Sequence, residues 1–442
     1  MDEKTLETKA RAYALKNALS HDGAAATGPV ISALFNEGLE KSEMKTYGKK
    51  INEIVSEINN LSVEDQQKEY NTLEAEISER EVREGLPELP LTEEQEKNGV
   101  VMRIAPSASG PFHVGHVLSF GLSLAYVRKY GGKFYVRIED TNPENVYPKS
   151  YELLEEDSEW LSEGEAEIII QSDRMGLYYS YAVSLIEKGK AYVCTCDPEK
   201  FKEHVQNKTP CPCREKSIEN NVKDWEKMIS FNSDINFKKG EAVLRFKTPT
   251  PEDQEKDEER TIKTGMEHKN PAMRDFPLAR ISEAEHPRAG RRYRVWPLMN
   301  LAVAVDDIEL GMTHIIRGKD HRDNAKRQAM FYKALNQGED IPWVGFLGRL
   351  HLKGLHLSTT DFKQGIEQGK YSGWDDPQLP TIQSLKKQGY HPKAFIKLAE
   401  AIGLSETDKT LEKKEFFYLL DYYDKQVKKE EREEDSGDNK GD

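Results

Sequence analysis

Two histidines and several small residues lie in one short segment of the chain, where they could bind phosphate. His113 and His116 are three residues apart, so on the first turn of a helix they would share one face and could donate hydrogen bonds to phosphate oxygens. Ser107, Gly110 and Gly115 would let backbone N–H groups approach a ligand closely. A single histidine of this kind is usually an ordinary surface residue, but the combination predicts a nucleotide-phosphate site.

The elements predicted around these residues form a β-loop-α-β unit. The apolar run 99–104 predicts a buried strand, the pattern from 117 to 128 predicts a helix, and the run 133–138 predicts a second strand. Such units close in a right-handed sense and bind ligands at the carboxyl ends of their strands. The helix N-terminus also attracts phosphate through its unpaired N–H groups and its dipole. The sequence therefore predicts an α/β nucleotide-binding fold.

All four cysteines lie within one stretch and form two close pairs, Cys194 with Cys196 and Cys211 with Cys213. Two close pairs of thiolates are typical of a closed, tetrahedral Zn²⁺ site with a structural role. Two disulfides or four free thiols are the alternatives, although a reducing compartment disfavours disulfides. His204, between the two pairs, is a candidate substitute ligand.

Residues 103–116 resemble the ATP-binding signature of class I aminoacyl-tRNA synthetases, and their Arg-Ile-Ala-Pro-Ser start resembles the glutamyl branch. Other segments extend the similarity over nearly the whole chain: 137–142, 305–307, 313–321 and 373–377. The last of these, together with a helical N-terminal extension, resembles the archaeal type. The predicted fold class is therefore α/β, with a Rossmann-like class I core, an inserted zinc-containing acceptor-binding subdomain, and helical N- and C-terminal parts.

The resemblance implies a glutamate–tRNA ligase that uses ATP with Mg²⁺ to form glutamyl-adenylate and then esterifies the 3′ end of tRNA-Glu. The residues with implied roles in ATP binding are Ser107, Gly110, His113, Gly115, His116 and Ser358, of which His113, His116 and Ser358 are the implied catalytic residues. Arg103 and Arg317 would read the side-chain carboxylate of glutamate bidentately and reject the neutral amide of glutamine. Glu139 would bind the substrate ammonium.

The second family signature, a mobile loop of the Lys-Met-Ser-Lys-Ser type, is altered in this chain. Its counterpart is 355–361, where His356 and Thr359 occupy the two lysine positions and Asp361 adds a negative charge. Lys353 or Lys363 is a candidate to supply the missing positive charge if the loop folds over the site. This departure keeps two alternatives open: a truncated paralog that transfers glutamate to another acceptor, and a non-catalytic module that binds tRNA or a protein partner.

The resemblance and the composition together predict seven segments. They are a helical N-terminal extension (1–80), a linker (81–98), the first half of the catalytic core (99–193), the zinc-containing insertion (194–290), the second half of the core (291–350), the signature loop with a helical stem-contact region (351–424), and a disordered charged tail (425–442). Related synthetases continue into β-barrels that read the anticodon, and the sequence predicts that this chain lacks them. The N-terminal helices are a candidate docking surface for another protein.

The charge of the chain limits how it could bind nucleic acid. A net charge of −14 argues against binding through bulk charge, so tRNA contacts would come from local basic patches. The candidates are 286–294 and 386–393, and ordinary solvated loops are the alternative for each. No apolar run reaches the ~18 residues of a membrane span, and the acidic N-terminus has no signal-peptide core. A cytoplasmic location is therefore predicted.

Overall fold

The computed structural model describes residues 3–21, 23–40, 43–73, 76, 86–249, 265–335 and 341–438. The chain divides into two compact units, Met1–Glu84 and Gly85–Asp442. Residues 77–85, where the boundary between the predicted extension and the predicted linker falls, lie outside the described residues.

The first unit is helical, as predicted. Its helices are α1 (Glu3–Leu19), α2 (Thr27–Asn36), α3 (Met44–Asn59) and α4 (Val63–Leu73). Their apolar faces meet in one core that includes Leu6, Leu15, Ile51 and Ile58. The buried amide of Gln66 donates to two main-chain carbonyls at 2.9 Å each, and so satisfies polar groups at the turns that join these helices.

The second unit combines strands and helices. Its strands are β1 (Val100–Ile104), β2 (Gly132–Ile138), β3 (Ala166–Ile170), β4 (Ala191–Cys194), β5 (Val243–Phe246), β6 (Pro277–Ile281), β7 (Val295–Pro297), β8 (His314–Gly318), β9 (Trp343–Leu347), β10 (Leu350–Lys353) and β11 (Lys409–Glu412). Its helices are α5 (Glu93–Asn98), α6 (Val117–Tyr130), α7 (Ser150–Ser162), α8 (Met175–Glu187), α9 (Pro198–Asn207), α10 (Ile218–Ile229), α11 (Met299–Glu309), α12 (Arg322–Ala334), α13 (Thr359–Glu367), α14 (Ile382–Lys387), α15 (Pro392–Ile402) and α16 (Lys413–Asp438).

The predicted catalytic core contains parallel strands. The order β1-β2-β3 is parallel throughout, and β8 pairs with β9 in parallel. The N–H of Thr313, just before β8, donates to the carbonyl of Val101 at 3.0 Å, which places β8 beside β1. The predicted β-loop-α-β unit is confirmed as β1, α6 and β2. Helix α6 ends at Gly131, whose φ of +77° suits glycine.

The antiparallel sheet β4-β5-β6-β7 lies between the two halves of the parallel core in the sequence. It extends from Ala191 to Pro297, so it begins before and ends after the predicted insertion 194–290. The predicted linker also contains an ordered element, because Thr92 and Gln95 form a reciprocal capping box at the start of α5.

The prediction of a disordered tail from residue 425 is wrong for residues 425–438, which continue helix α16. Composition alone suggested disorder, but tertiary contacts stabilise the helix. Val427 is buried, and Lys397 of α15 lies 2.7 Å from Glu430. The pair Lys428 and Asp424 adds support one helical turn apart, at 2.6 Å.

Candidate active site

The carboxyl ends of β1 and β2 are held together and open into one cleft. The N–H of Ala108 donates to the carbonyl of Glu139 at 3.1 Å, and the N–H of Glu139 donates to the carbonyl of Pro106 at 2.8 Å. A cleft of about 230 Å³ opens here, lined by Ser107 and Glu139. The structure therefore places these two predicted site residues together.

The two histidines of the first signature are neutral hydrogen-bond donors. Nδ1 of His113 accepts from the N–H of Gly115 at 3.0 Å, and Nδ1 of His116 accepts from the N–H of His113 at 3.2 Å. Burial lowers the pKa of His113 to about 4 and the pKa of His116 well below its ordinary value. Because both Nδ1 atoms accept, each ring carries its proton on Nε2, which is the atom left to donate to a ligand.

Gly110 has a packing role in addition to the ATP-binding role predicted for it. A Cβ at Gly110 would lie 2.4 Å from Cγ2 of Thr359 and 3.2 Å from the ring of Trp374. The glycine is therefore needed for packing of the signature loop. At Gly115 a Cβ would lie 2.8 Å from the ring of His113, so this glycine makes room for the imidazole.

The second signature forms the start of α13 and rests on the first. Ser358 is the N-cap residue of α13, and its Oγ accepts from the N–H of Asp361 at 3.3 Å. His356 Nε2 lies 2.6 Å from Oδ2 of Asp361, and both side chains are exposed. The two lysines proposed as substitutes face acids, since Lys353 lies 3.6 Å from Glu412 and Lys363 lies 3.9 Å from Glu367.

A buried carboxylate, Asp307, organises the arginines of the site. It accepts from Nε and Nη2 of Arg103 at 2.9 and 2.8 Å and from Nη1 of Arg137 at 2.5 Å. Burial alone would raise the pKa of Asp307, but attraction to the two guanidinium groups outweighs burial and lowers it to about 2. The edge of the Arg103 guanidinium formed by Nε and Nη2 is thus engaged by Asp307. Nη1 and the outer hydrogen of Nη2 are left for a ligand.

The neighbouring carboxylate, Asp306, ties the core to the start of α8. It accepts from Gln171 at 2.9 Å, from Arg174 at 2.6 Å and from Tyr178 at 2.8 Å. Both aspartates lie inside α11 and are buried. Sequence reasoning gave no role to Arg137 or Arg174, although an arginine in the apolar strand β2 requires a buried partner.

Arg317 is a buried cation that pairs with no carboxylate in the part of the chain that the structure describes. Only 8% of it is exposed, and its Nη1 donates to the amide oxygen of Gln328 at 2.9 Å. Its Nε is buried without a hydrogen-bond partner among these residues. Burial, followed by repulsion from Arg103, lowers the pKa of Arg317 to about 10. Such a group fits an anionic ligand.

The four cysteine sulfurs form a compact cluster in which every pair of sulfurs is within 4.8 Å. Cys194 and Cys211 are 3.9 Å apart, and Cys196 and Cys213 are 3.7 Å apart. A tetrahedral zinc with Zn–S distances of about 2.3 Å requires sulfur separations of about 3.8 Å, whereas a disulfide requires about 2.05 Å. The cluster therefore fits a metal and not two disulfides. His204 instead lies 3.1 Å from the hydroxyl of Thr209.

Much of the charge in the two predicted basic patches is engaged within the protein. His286 is buried and stacks on Trp296, and Nε2 of His286 lies 3.0 Å from the carbonyl oxygen of Asp140. Arg294 donates to three main-chain carbonyls. In the second patch, Lys387 lies 2.6 Å from Asp375. These contacts assign a structural role to part of each patch and leave nucleic-acid binding untested.

The parallel core, the histidine-bearing loop after β1 and the signature loop resting on it define the catalytic domain of a class I tRNA synthetase. Residues 99–421 match the family described as tRNA synthetases class I (E and Q), catalytic domain. The chain belongs to this family. Of the helices that the structure describes, none combines the length and the apolar character that crossing a bilayer requires.

Archaeal proteins named glutamate–tRNA ligase are similar over most of the chain. The one from Methanobrevibacter smithii is 40% identical over 92% of this chain and 69% of its own length. The one from Pyrococcus abyssi is 42% identical over 92% of this chain and 68% of its own length. A solved glutamate tRNA ligase from Elizabethkingia meningosepticum is 24% identical with a TM-score of 0.46, covering 68% of this chain and 60% of that one.

Proposed function

We propose that this protein is an ATP-dependent glutamate–tRNA ligase. Two relatives of that name are 40% and 42% identical to this chain over 92% of its length. The observation that carries the choice of glutamate is the charge of the arginine cluster. Four buried or half-buried guanidinium groups (Arg103, Arg137, Arg174 and Arg317) face three carboxylates (Asp306, Asp307 and Glu139). One more carboxylate would balance the site.

The reaction requires positioning more than covalent chemistry by side chains. An α-carboxylate oxygen of glutamate attacks the α-phosphorus of ATP, and pyrophosphate leaves with the Mg²⁺ that neutralises its charge. A hydroxyl of the terminal ribose of tRNA then attacks the adenylate carbonyl, and AMP leaves. The Nε2–H groups of His113 and His116 would donate to phosphate oxygens, with Ser107, Gly110, Gly115 and Ser358 completing the ATP site.

Selection of glutamate would depend on Arg103 and Arg317, with Glu139 binding the substrate ammonium. A glutamate side chain would supply the carboxylate that Arg317 lacks. The amide of glutamine would leave the buried guanidinium uncompensated and would turn an N–H group towards it, which is costly. The cleft residue Glu139 is partly exposed and weakly held, at 3.3 Å from Nη2 of Arg137, so it remains available to an ammonium group.

The function is tested by glutamate-dependent ATP–pyrophosphate exchange, with and without total tRNA, in the intact protein and in His116→Ala. We expect exchange with glutamate, little with glutamine, and a loss on the order of 100-fold in the variant. Charging of tRNA-Glu would establish the acceptor. Exchange without charging of any tRNA would favour the paralog that uses another acceptor. No exchange under either condition would contradict the ligase and favour a binding module.

Asp361 is expected to slow activation, because it places a negative charge on the loop that faces the leaving pyrophosphate in this family. We expect Asp361→Asn to raise kcat for exchange about 2- to 5-fold, since an exposed charge is strongly screened. His356, which faces Asp361 at 2.6 Å, would offset part of its charge when protonated. The check is kcat measured at low and high salt. A lower kcat in the variant would show that the His356–Asp361 pair organises the loop instead.

The cysteine cluster is proposed to hold one structural Zn²⁺, in the insertion that would bind the acceptor end of tRNA. We expect about one zinc per chain by elemental analysis, and its loss in Cys211→Ser. Since the cluster lies outside the arginine site, removal of zinc should reduce aminoacylation on the order of 10-fold or more, while exchange falls by less than about 3-fold. An equal loss in both assays would contradict the assignment of zinc to the acceptor-binding part.

A cytoplasmic location, where tRNA is charged, completes the proposal.

A further inference from the structure

A buried carboxyl group that the reaction does not use lies directly behind the phosphate site. Asp157 is on α7, is fully buried, and was not singled out by the sequence. Its Oδ2 accepts from the N–H of Phe112 at 2.9 Å, and its Oδ1 accepts from the side-chain amide of Gln383 at 2.8 Å. Phe112 immediately precedes His113, so Asp157 is hydrogen-bonded to the first signature. We use the term bracket for the contacts that Asp157, Gln383 and residues 380–382 make with the main chain around His113.

The other end of the bracket is the segment that leads into α14. The N–H of Ile382 donates to the carbonyl of Phe112 at 2.9 Å, and the N–H of Val114 donates to the carbonyl of Pro380 at 3.0 Å. His113 and Thr381 form an antiparallel bridge between the two segments. The main chain on both sides of His113 is therefore held by α7 and by the residues before α14.

This bracket determines which way the imidazoles face. With the Phe112 and Val114 N–H groups engaged behind the loop, the N–H of His113 is left to donate to Nδ1 of His116 at 3.2 Å. That bond, together with the bond from Gly115 to His113, keeps the proton of each ring on Nε2. Loss of the bracket would free both rings to change tautomer and orientation.

We infer that Asp157, acting with Gln383, is a positioning residue for the ATP phosphate site, because it orients the His113 main chain and through it both histidines. The inference rests on the proposed function for the identity of the ligand, but not for the geometry. Through Gln383, the inference gives α14 a part in ATP binding. Helix α14 lies more than 260 residues away from the first signature in the sequence.

We expect asparagine at position 157 to preserve the hydrogen bonds that Asp157 forms. Burial raises the pKa of Asp157 to about 8, against the opposing hydrogen bonds from Phe112 and Gln383, with Lys386 and Glu156 as the charged groups nearby. The neutral acid is therefore accessible near pH 7, and it has one oxygen acceptor and one donor. An asparagine offers the same acceptor for the Phe112 N–H, and rotation of the Gln383 amide would satisfy its NH₂ group.

The test compares Asp157→Ala, Asp157→Asn and Gln383→Met with a matched control, Ser158→Ala. Ser158 is the next residue of α7, is equally buried, and bonds through its hydroxyl to the carbonyl of Leu154 in its own helix. We expect Asp157→Ala to lower kcat/KM for ATP on the order of 100-fold with KM for glutamate changed less than about 3-fold. Gln383→Met should lose roughly 10-fold, and Asp157→Asn and Ser158→Ala less than about 5-fold.

A readout that is independent of catalysis is ¹⁵N NMR of the imidazole rings. The intact protein and Asp157→Asn should show His113 and His116 protonated on Nε2, and Asp157→Ala should lose this uniform tautomer. If the intact protein shows no exchange activity, the proposed function fails while the ring spectra still decide the positioning role. Unchanged ring spectra in a folded Asp157→Ala, or equal losses for ATP and glutamate that Ser158→Ala reproduces, would overturn the inference. If Asp157→Ala does not fold, Gln383→Met serves the same comparison.

Discussion

Replacing Arg317 by methionine is expected to lower kcat/KM for glutamate on the order of 1,000-fold, about 4 kcal/mol, without destabilising the protein. Activity is lost because the side-chain carboxylate of glutamate would be buried without the Arg317 guanidinium that is proposed to pair with it. KM for ATP should change little, since the histidine-bearing loop is not in hydrogen-bond contact with Arg317.

The expected stability of Arg317→Met is the more specific part of the prediction. A buried guanidinium with no carboxylate partner among the described residues, and with a pKa lowered to about 10, is a cost to the free protein. Methionine fills a similar volume without a charge, so the free energy of unfolding should be unchanged or raised by about 1–3 kcal/mol. Activity and stability would thus change in opposite directions, as expected for a site that is completed by its ligand.

Thermal unfolding with and without glutamate measures this directly. Glutamate should raise the melting temperature of the intact protein but not of Arg317→Met, because a ligand stabilises only the state that binds it. Arg128→Met, which removes a guanidinium from a surface pair with Glu163 at 3.0 Å, is the matched control and should retain activity. Arg317→Met that activates glutamate within about 10-fold of the intact protein would contradict the assignment of Arg317 to the substrate carboxylate.

The sequence predicted the parts of the fold that depend on local patterns. Apolar runs and helical periodicity placed β1, α6 and β2 correctly, because strand and helix periods are properties of a few adjacent residues. The spacing of the cysteines likewise indicated a cluster that the structure confirms. The tail prediction was wrong because composition does not show that Val427 packs against the rest of the second unit.

The arrangement of the site depends on contacts between distant residues, which one sequence does not reveal. Arg103 and Asp307 are 204 residues apart, yet they form a buried pair that commits one face of the guanidinium. Asp157 and Phe112 are 45 residues apart and Gln383 is 226 residues beyond Asp157, so nothing local marks the bracket behind the histidines. Local motifs therefore mark the side chains proposed to meet the ligand, whereas nothing local marks those that hold them in place.

Replacing Asp307 by asparagine is expected to destabilise the second unit by about 3–5 kcal/mol, the largest stability effect that we predict. The asparagine would leave Arg103 and Arg137 buried with too little negative charge, and an uncompensated buried charge costs far more than a surface pair. All five tryptophans lie in Gly85–Asp442, so urea unfolding followed by tryptophan fluorescence reports on this unit alone. Asp361→Asn, an exposed carboxylate, is the control and should change stability by less than about 0.5 kcal/mol.

The pH dependence of this loss separates charge from packing. The folded pKa of Asp307, about 2, lies below the ~3.9 of an unfolded aspartate, so its contribution is fully present above about pH 4 and is lost as the pH falls through about 2. The difference in unfolding free energy between the intact protein and Asp307→Asn should therefore shrink by roughly 2–3 kcal/mol across that window. A difference that stays constant from pH 5 to pH 2 would mean that asparagine disturbs packing. In that case Asp307 would not be the carboxylate that holds Arg103 in place and leaves Arg317 free for the substrate.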